Sequence, residues 1–246
     1  MARRTRKEAL ETRNRILDAA ERVFSRRGVS RTSLDDIARA AGVTRGAIYW
    51  HFKDKADLFG AMLSRVTLPM EEMVQRAGDG TADDPLAPVR ECAVGVLRKT
   101  TDDPRARRVF DVVAHKCEYV DEMAAVRRRL NGMRANCLRR LESGFRDAVR
   151  CGVLPADVDP RAAAVGLHAL VDGLITNWLI DPRYFPLARE AERMVDGYLE
   201  GLGARMLGSS ARTRARAKRP GDGKERGARR AAAPRATRRL TISRQG

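Results

Sequence analysis

The sequence predicts an all-α fold of about nine helices. Three observations lead there. Apolar residues recur three and four apart through most of the first 206 positions, the spacing of a helix face. No alternating apolar–polar run of useful length appears, nor any fixed repeat. Between the periodic stretches stand residues that stop or start helices, such as Gly28, Gly42, Gly152, Asp159-Pro160 and Asp181-Pro182.

Taken in order, the first helix starts near Glu8 and carries Ile16, Leu17, Ala20, Val23 and Phe24 on one face. Arg26 and Arg27 suit its last turn, where cations favour the dipole, and Gly28 stops it. Ser33 caps a second helix, with Asp36 completing a capping box, and Leu34, Ile37, Ala38 and Ala41 form its stripe. Gly42 provides the left-handed residue at its end. Thr44 caps a third helix, which buries Ile48 and Phe52 and turns Arg45 and Tyr49 outward. Asp54 caps a long fourth helix ending before Gly78, with Pro69 kinking or ending it. Gly78 to Pro88 reads as a loop. Further helices are expected over Val89–Thr101, from Pro104 through Val113, over Glu122–Cys151, from Pro160 to Ile180, and over Leu187–Met206.

Composition and charge narrow the function. The 246 residues allow one large domain or two small ones. Hydrophobic residues make up 43% but aromatics only 5%, so the core should rest on Leu, Val, Ala and Met. The formal charge of +17 is unevenly placed: residues 1–55 carry 14 Lys/Arg against 7 Asp/Glu, residues 56–207 carry 22 against 23, and residues 208–246 carry 13 against 2. This suggests a polyanion-reading module at 1–55 joined to a neutral region at 56–207. The tail at 208–246 lacks large apolar residues and is expected to be disordered, either a solvated extension or a non-specific attractor of nucleic acid. Residues 1–7 read as a free terminus or as an arm on DNA phosphates.

Cys92, Cys117, Cys137 and Cys151 form no C-x-x-C pair. They read as small core residues, reduced in a cytoplasm, rather than zinc ligands. The start is charged and no stretch approaches the ~20 apolar residues of a membrane span, so neither a signal peptide nor a membrane partner is expected. There is no glycine-rich phosphate loop, G-x-S-x-G or H-E-x-x-H, so neither an enzyme nor a cofactor is expected. His168 and Asp172 lie four apart, but two ligands make no metal site; they read as a polar pair lining a cavity or as a core contact.

Two short helices joined by a Gly-containing turn, the second with a basic and aromatic outer face, form a helix-turn-helix pattern. Arg45 can reach guanine O6 and N7 in the major groove. Thr44, Tyr49, His51 and Lys55 offer donors suited to phosphates. Gly46 and Ala47 are small enough to let the helix approach, Trp50 fits either DNA contact or half-buried packing, and Ser33 either caps or holds a phosphate.

The run from Ala41 to Lys55, Ala-Gly-Val-Thr-Arg-Gly-Ala-Ile-Tyr-Trp-His-Phe-Lys-Asp-Lys, resembles the recognition helix of the TetR family of transcriptional repressors. Thr12-Arg13, His115-Lys116-Cys117-Glu118 and Val171-Asp172-Gly173-Leu174 resemble its AcrR/TtgR branch, repressors of multidrug efflux pumps. The resemblance covers roughly residues 1–205. It implies that Thr44, Arg45, Gly46 and Ala47 face bases while Tyr49, Trp50, His51 and Lys55 grip the backbone. It also implies an effector pocket among the fourth to eighth helices, at Val66, Cys92, Val96, Phe110, Ala114, Cys137, Leu141, His168, Val171 and Asp172. Phe110 and Ala114 stand where relatives carry polar residues. Arg134 puts a charge where an apolar residue is usual, or points outward. Asp172, if buried, would favour cationic ligands; the alternative is a capped or surface residue.

A monomer would read too few base pairs, so a two-fold dimer on a palindromic operator is expected, with half-sites ~34–36 Å apart. The small residues of Arg161–Ile180 suit close helix approach, either across a dimer or within one subunit. The resemblance implies a homodimer built from the last two helices. The expected function is a ligand-responsive repressor of a multidrug efflux operon, released by small apolar or cationic drug-like ligands, in the cytoplasm and nucleoid-associated when bound. An activator or global regulator of the same fold and a non-specific DNA-binding protein stay open as alternatives.

Overall fold

The computed structural model describes residues 6–79, 84–119 and 121–204. The tail at 208–246 lies outside them, as do the first five residues of the basic arm. Among the described residues there are nine α-helices and no strand: α1 (Arg6–Arg27), α2 (Leu34–Ala41), α3 (Arg45–His51), α4 (Lys55–Arg76), α5 (Ala87–Asp102), α6 (Pro104–His115), α7 (Ala124–Arg150), α8 (Pro160–Ile180) and α9 (Leu187–Gly201). A single 3-10 turn, Asp121–Met123, precedes α7.

Most starts are set by local chemistry. Asp54, Asp103 and Asp159 each accept hydrogen bonds from backbone amides of the turn that follows, satisfying donors that have no partner within the helix. Three boundaries differ from expectation, and Pro69 does not end α4. α5 begins at Ala87, so Pro88 lies in its first turn, where a missing N–H costs nothing. Pro69 is accommodated inside α4. α7 starts after the 3-10 turn rather than at Glu122. α9 stops at Gly201 instead of continuing to Met206, because Gly203 adopts a left-handed φ of 86°.

Two apolar clusters form the core. One joins Ile16 and Phe24 of α1, Ile37 of α2, Ile48 of α3, Phe59 and Met62 of α4, and Val109 of α6. The other joins Leu97 of α5, Phe145 of α7, Leu167 of α8 and Val195 of α9. α7 reaches into both, with Val126 in the first and Leu141 in the second. Its crossing over α5 needs Gly144: an added Cβ would come within 2.5 Å of Val89 Cγ2 and 2.7 Å of the Ala77 carbonyl. Arg90 of α5 clasps Asp196 of α9 with two hydrogen bonds of 2.5 and 3.0 Å.

α8 corrects one expectation. It is long and apolar enough, by length and composition, to cross a membrane, yet only 22% of that stretch is buried. Ala163, Ala164, Leu167 and Trp178 face the core, while Val165 and Ile180 are exposed. The helix therefore presents one apolar face inward and leaves Ala162, Val165, Ala169 and Ile180 exposed, interrupted by Asp172 and Asn177.

An ionic node ties α1 to α4 and α6. Glu21 of α1 is 1% exposed and meets Arg65 of α4 at 3.2 Å, and Arg105 and Arg108 of α6 at 3.2 and 3.5 Å. Asp18 adds contacts to Arg65 and Arg105 at 2.8 and 2.9 Å. Removing the buried member would leave three guanidiniums without their shared anion. Glu21→Ala should therefore lower the unfolding free energy by about 3 kcal/mol, the low end of the ~3–5 kcal/mol cost of half-breaking a buried pair, because water screens the arginines. Denaturant titration reads this directly. An equal loss for Arg108→Ala, at the rim, would contradict the ranking.

Candidate DNA-binding surface and internal cavity

The recognition helix is held from both ends. Ser33 and Asp36 exchange the expected capping-box bonds: Asp36 N donates to Ser33 Oγ at 3.1 Å and Ser33 N donates to Asp36 Oδ2 at 3.0 Å. The Ser33 hydroxyl donates to the same carboxylate at 2.6 Å, so it serves as a cap in the free protein. These bonds, with Arg39 adding to them, push the Asp36 carboxyl down to about 2. The box therefore contributes above its ordinary value of 3.8 and loosens as pH falls toward 2. Gly42 takes φ 62°, and its amide bonds back to Ala38 and Arg39. Thr44 Oγ1 then accepts from Ala47 N at 3.1 Å to open α3. At the far end, Arg13 of α1 donates to the His51 carbonyl at 3.2 Å and lies over the Phe52 ring at 4.4 Å. A cation at a helix C-terminus and over an aromatic face is doubly favourable.

With Ile48 and Phe52 buried as anchors, α3 turns Thr44, Arg45, Gly46, Tyr49 and Trp50 outward. Ala47 and His51 are half-buried beside them. Trp50 is 73% exposed, which excludes the packing reading. Arg45 is solvent-facing, 3.4 Å from Asp35 Oδ1 and over the Tyr49 ring at 5.7 Å. Lys55 departs from the rest. Its side chain is only 11% exposed; Nζ donates to the Val29 carbonyl at 3.2 Å and meets Glu122 at 3.2 Å. It forms the floor of a polar crevice whose walls include Ser33, Tyr49 and Lys53.

A cavity of about 800 Å³ lies between α4, α5, α6, α7 and α8. Cys92, Val96, Phe110, Ala114, Cys137, Leu141, His168, Val171 and Asp172 all line it. Val66 does not: it packs into the first apolar cluster, while Thr67, the next residue on α4, faces the cavity. Asp172 also corrects its expectation. It lines the cavity but is exposed, so it stands at the opening rather than as a buried anchor. Arg134 lines the same cavity and is likewise exposed, so the opening carries both signs of charge. Burial lowers the His168 pKa, against the pull of Asp172, with Arg134 adding to the lowering. No cluster of three potential metal ligands occurs among the described residues.

Residues 16–62 match the family described as bacterial regulatory proteins, tetR family, and residues 84–204 match the MAATS-type transcriptional repressor, C-terminal region. The chain is 42% identical over 200 residues to the HTH-type transcriptional regulator AcrR of Shigella flexneri, covering 81% of this chain and 93% of that protein. It belongs to the tetR family. Among solved structures it is similar to NalD, the secondary repressor of the MexAB-OprM multidrug efflux pump in Pseudomonas aeruginosa. That likeness has a TM-score of 0.74 and 38% identity, over 81% of this chain and 99% of NalD. It is also similar to SmeT in its complex with triclosan, with a TM-score of 0.69 and 31% identity, over 78% of this chain and 91% of that one.

For this tetR-family chain, sequence reasoning missed several wall and frame residues. Thr67 and Met70 of α4 line the cavity, and Thr67 Oγ1 is buried with no hydrogen-bond partner among the described residues. Tyr119, in the segment after α6, closes one side and donates to the Val113 carbonyl at 3.0 Å; burial raises its phenol pKa. The apolar, i+3/i+4 placement of Met70 was a readable signal. Nothing in the local pattern pointed to Tyr119 or Arg13.

Burial pushes the Cys92 thiol up to about 12 and the Cys137 thiol up to about 11. Both stay protonated near neutral pH, which fits small wall residues better than reactive nucleophiles. Cys151 is exposed. In folded protein at about pH 8, iodoacetamide should therefore modify Cys151 well before Cys92 or Cys137, since only the thiolate attacks. Mass spectrometry of tryptic peptides over a time course checks the order. Early loss of Cys92 would contradict the assigned burial.

Proposed function

We propose that this tetR-family protein is a ligand-responsive repressor of a multidrug efflux operon. In this reading residues 1–55 bind a palindromic operator, and residues 56–207 bind a drug-like effector and dimerise. The observation that carries it is the dual use of α4. Its first turns hold the helix-turn-helix through Phe59 and Met62, and its later turns wall the cavity through Thr67 and Met70. An occupant of the cavity therefore presses on the element that orients α3. The similarity to AcrR, NalD and SmeT supports the efflux assignment, and the triclosan complex of SmeT supports a small, largely apolar effector.

The exposed small and apolar residues of α8, Ala162, Val165, Ala169 and Ile180, support a homodimer through α8 and α9. A pair of recognition helices would then meet half-sites ~34–36 Å apart on one face of DNA. Such a regulator acts in the bacterial cytoplasm, at the nucleoid when bound. An effector works only through its preference for the non-DNA-binding state, and a coupling of ~1–3 kcal/mol weakens binding about 5–150-fold.

Footprinting of the DNA beside the nearest efflux operon, with and without triclosan, tests the reading. A protected palindrome overlapping the promoter, released by triclosan, is expected. Equal affinity for random duplex at physiological salt would instead mark a non-specific binder. Protection upstream of the promoter, with transcription lost on gene deletion, would mark an activator. Arg45→Ala should cost about 1–3 kcal/mol of operator discrimination, since a bidentate guanine contact is worth that much. Gel shifts against operator and random duplex measure the difference, and a uniform loss on both would overturn the base-reading role.

The exposure of Asp172 changes the ligand expectation. A water-screened carboxylate at an opening that also carries Arg134 gives little preference for cations, so Asp172→Ala should shift the affinity for a cationic dye by less than ~1 kcal/mol. Calorimetry with ethidium, and with a neutral flavonoid as control, decides this. A tenfold loss confined to the dye would restore Asp172 as the anchor.

A further inference from the structure

The crevice at the foot of the helix-turn-helix already holds an anion. Its walls carry Ser33, Tyr49 and Lys53, with Lys55 as the floor, and one acid arrives from outside the DNA-binding helices. That acid is Glu122, from the 3-10 turn before α7, 3.2 Å from Lys55 Nζ. The other acids of the crevice are engaged locally: Asp36 in the α2 capping box and Asp54 as the cap of α4. A carboxylate and a phosphodiester each present a single negative charge on oxygen, and both answer the same ammonium.

We propose that Glu122 is an internal surrogate for a DNA phosphate, occupying Lys55 in the free protein and displaced from it when DNA binds. The inference rests on the proposed operator binding and on the reading, implied by the resemblance, that Lys55 grips a DNA phosphate. Burial makes the exchange possible. The Lys55 side chain is 11% exposed and needs an anion in either state, whereas Glu122 is 55% exposed and regains water when it leaves. The bond from Lys55 Nζ to the Val29 carbonyl keeps the ammonium in place during the exchange.

The segment bearing Glu122 is docked on the same loop by further contacts. Val29 N donates to the Lys116 carbonyl at 2.9 Å, and Ser30 Oγ donates to Glu118 at 3.3 Å. Tyr119 of that segment lines the cavity. The connection between α6 and α7 thus acts as a brake on DNA binding whose other end is a cavity wall.

Fluorescence anisotropy of the full chain, with an operator duplex and a random duplex across a salt series, tests this. Glu122→Gln should bind both duplexes about two- to fivefold tighter per half-site, the range of a part-exposed ion pair. Its plot of log affinity against log salt should steepen by up to ~0.9 per half-site, because Lys55 then neutralises a phosphate without first giving up a carboxylate. Glu122→Asp, with the same charge on a shorter stem, should fall between. In a Lys55→Ala background, Glu122→Gln should have no effect. Unchanged or weaker binding by Glu122→Gln, with Lys55→Ala still impaired, overturns the surrogate and leaves the phosphate contact standing. Full affinity in Lys55→Ala overturns both.

Discussion

Glu21 brings a carboxylate into the interior, and Arg65, Arg105 and Arg108 close around it. A buried charge of this kind is tolerated only while its partners stay in reach. α1, α4 and α6 are therefore held in register by a contact that none of them can satisfy alone. The apolar cluster around Phe24, Phe59 and Val109 fills the space between the same three helices. Ile48 and Phe52, which anchor the recognition helix, pack into that same cluster.

The consequence is mechanical. α3 is seven residues long and could not persist by itself. It is kept by Thr44 at one end, by Arg13 on the His51 carbonyl at the other, and by Ile48 and Phe52 beneath. Its outer face is thus free to present Arg45, Tyr49 and Trp50. α4 continues from that frame directly into the cavity wall, so one helix serves both sites. A cavity of about 800 Å³ with a mostly apolar interior and mixed charges at its opening suits bulky ligands more than one charge type.

The branch-specific markers gain a physical meaning from this geometry. Thr12 is buried against the core and Arg13 clamps α3, which accounts for that pair. Lys116 and Glu118 reach the loop after α1 through Val29 and Ser30, joining the ends of α1 and α6. As motifs these residues were readable only by resemblance, because their partners lie 38 to 88 positions away in the chain.

What the sequence determined by itself was local. Ser33 with Asp36, Gly42, Thr44, Asp54 and Asp159 set helix ends through bonds within four residues, and the spacing of Ile48 and Phe52 set which side of α3 would be buried. Periodicity finds a helix face but cannot say which neighbour covers it. Adjacent residues differ by about 100° around a helix, and that angle alone sends Val66 into the core and Thr67 into the cavity. Only the tertiary structure decided that Asp172 stands at an opening, that Arg134 turns toward the cavity, and that Lys55 is held by Glu122. Each depends on where a distant helix lies, and such long-range electrostatic and packing contacts leave no trace in local spacing.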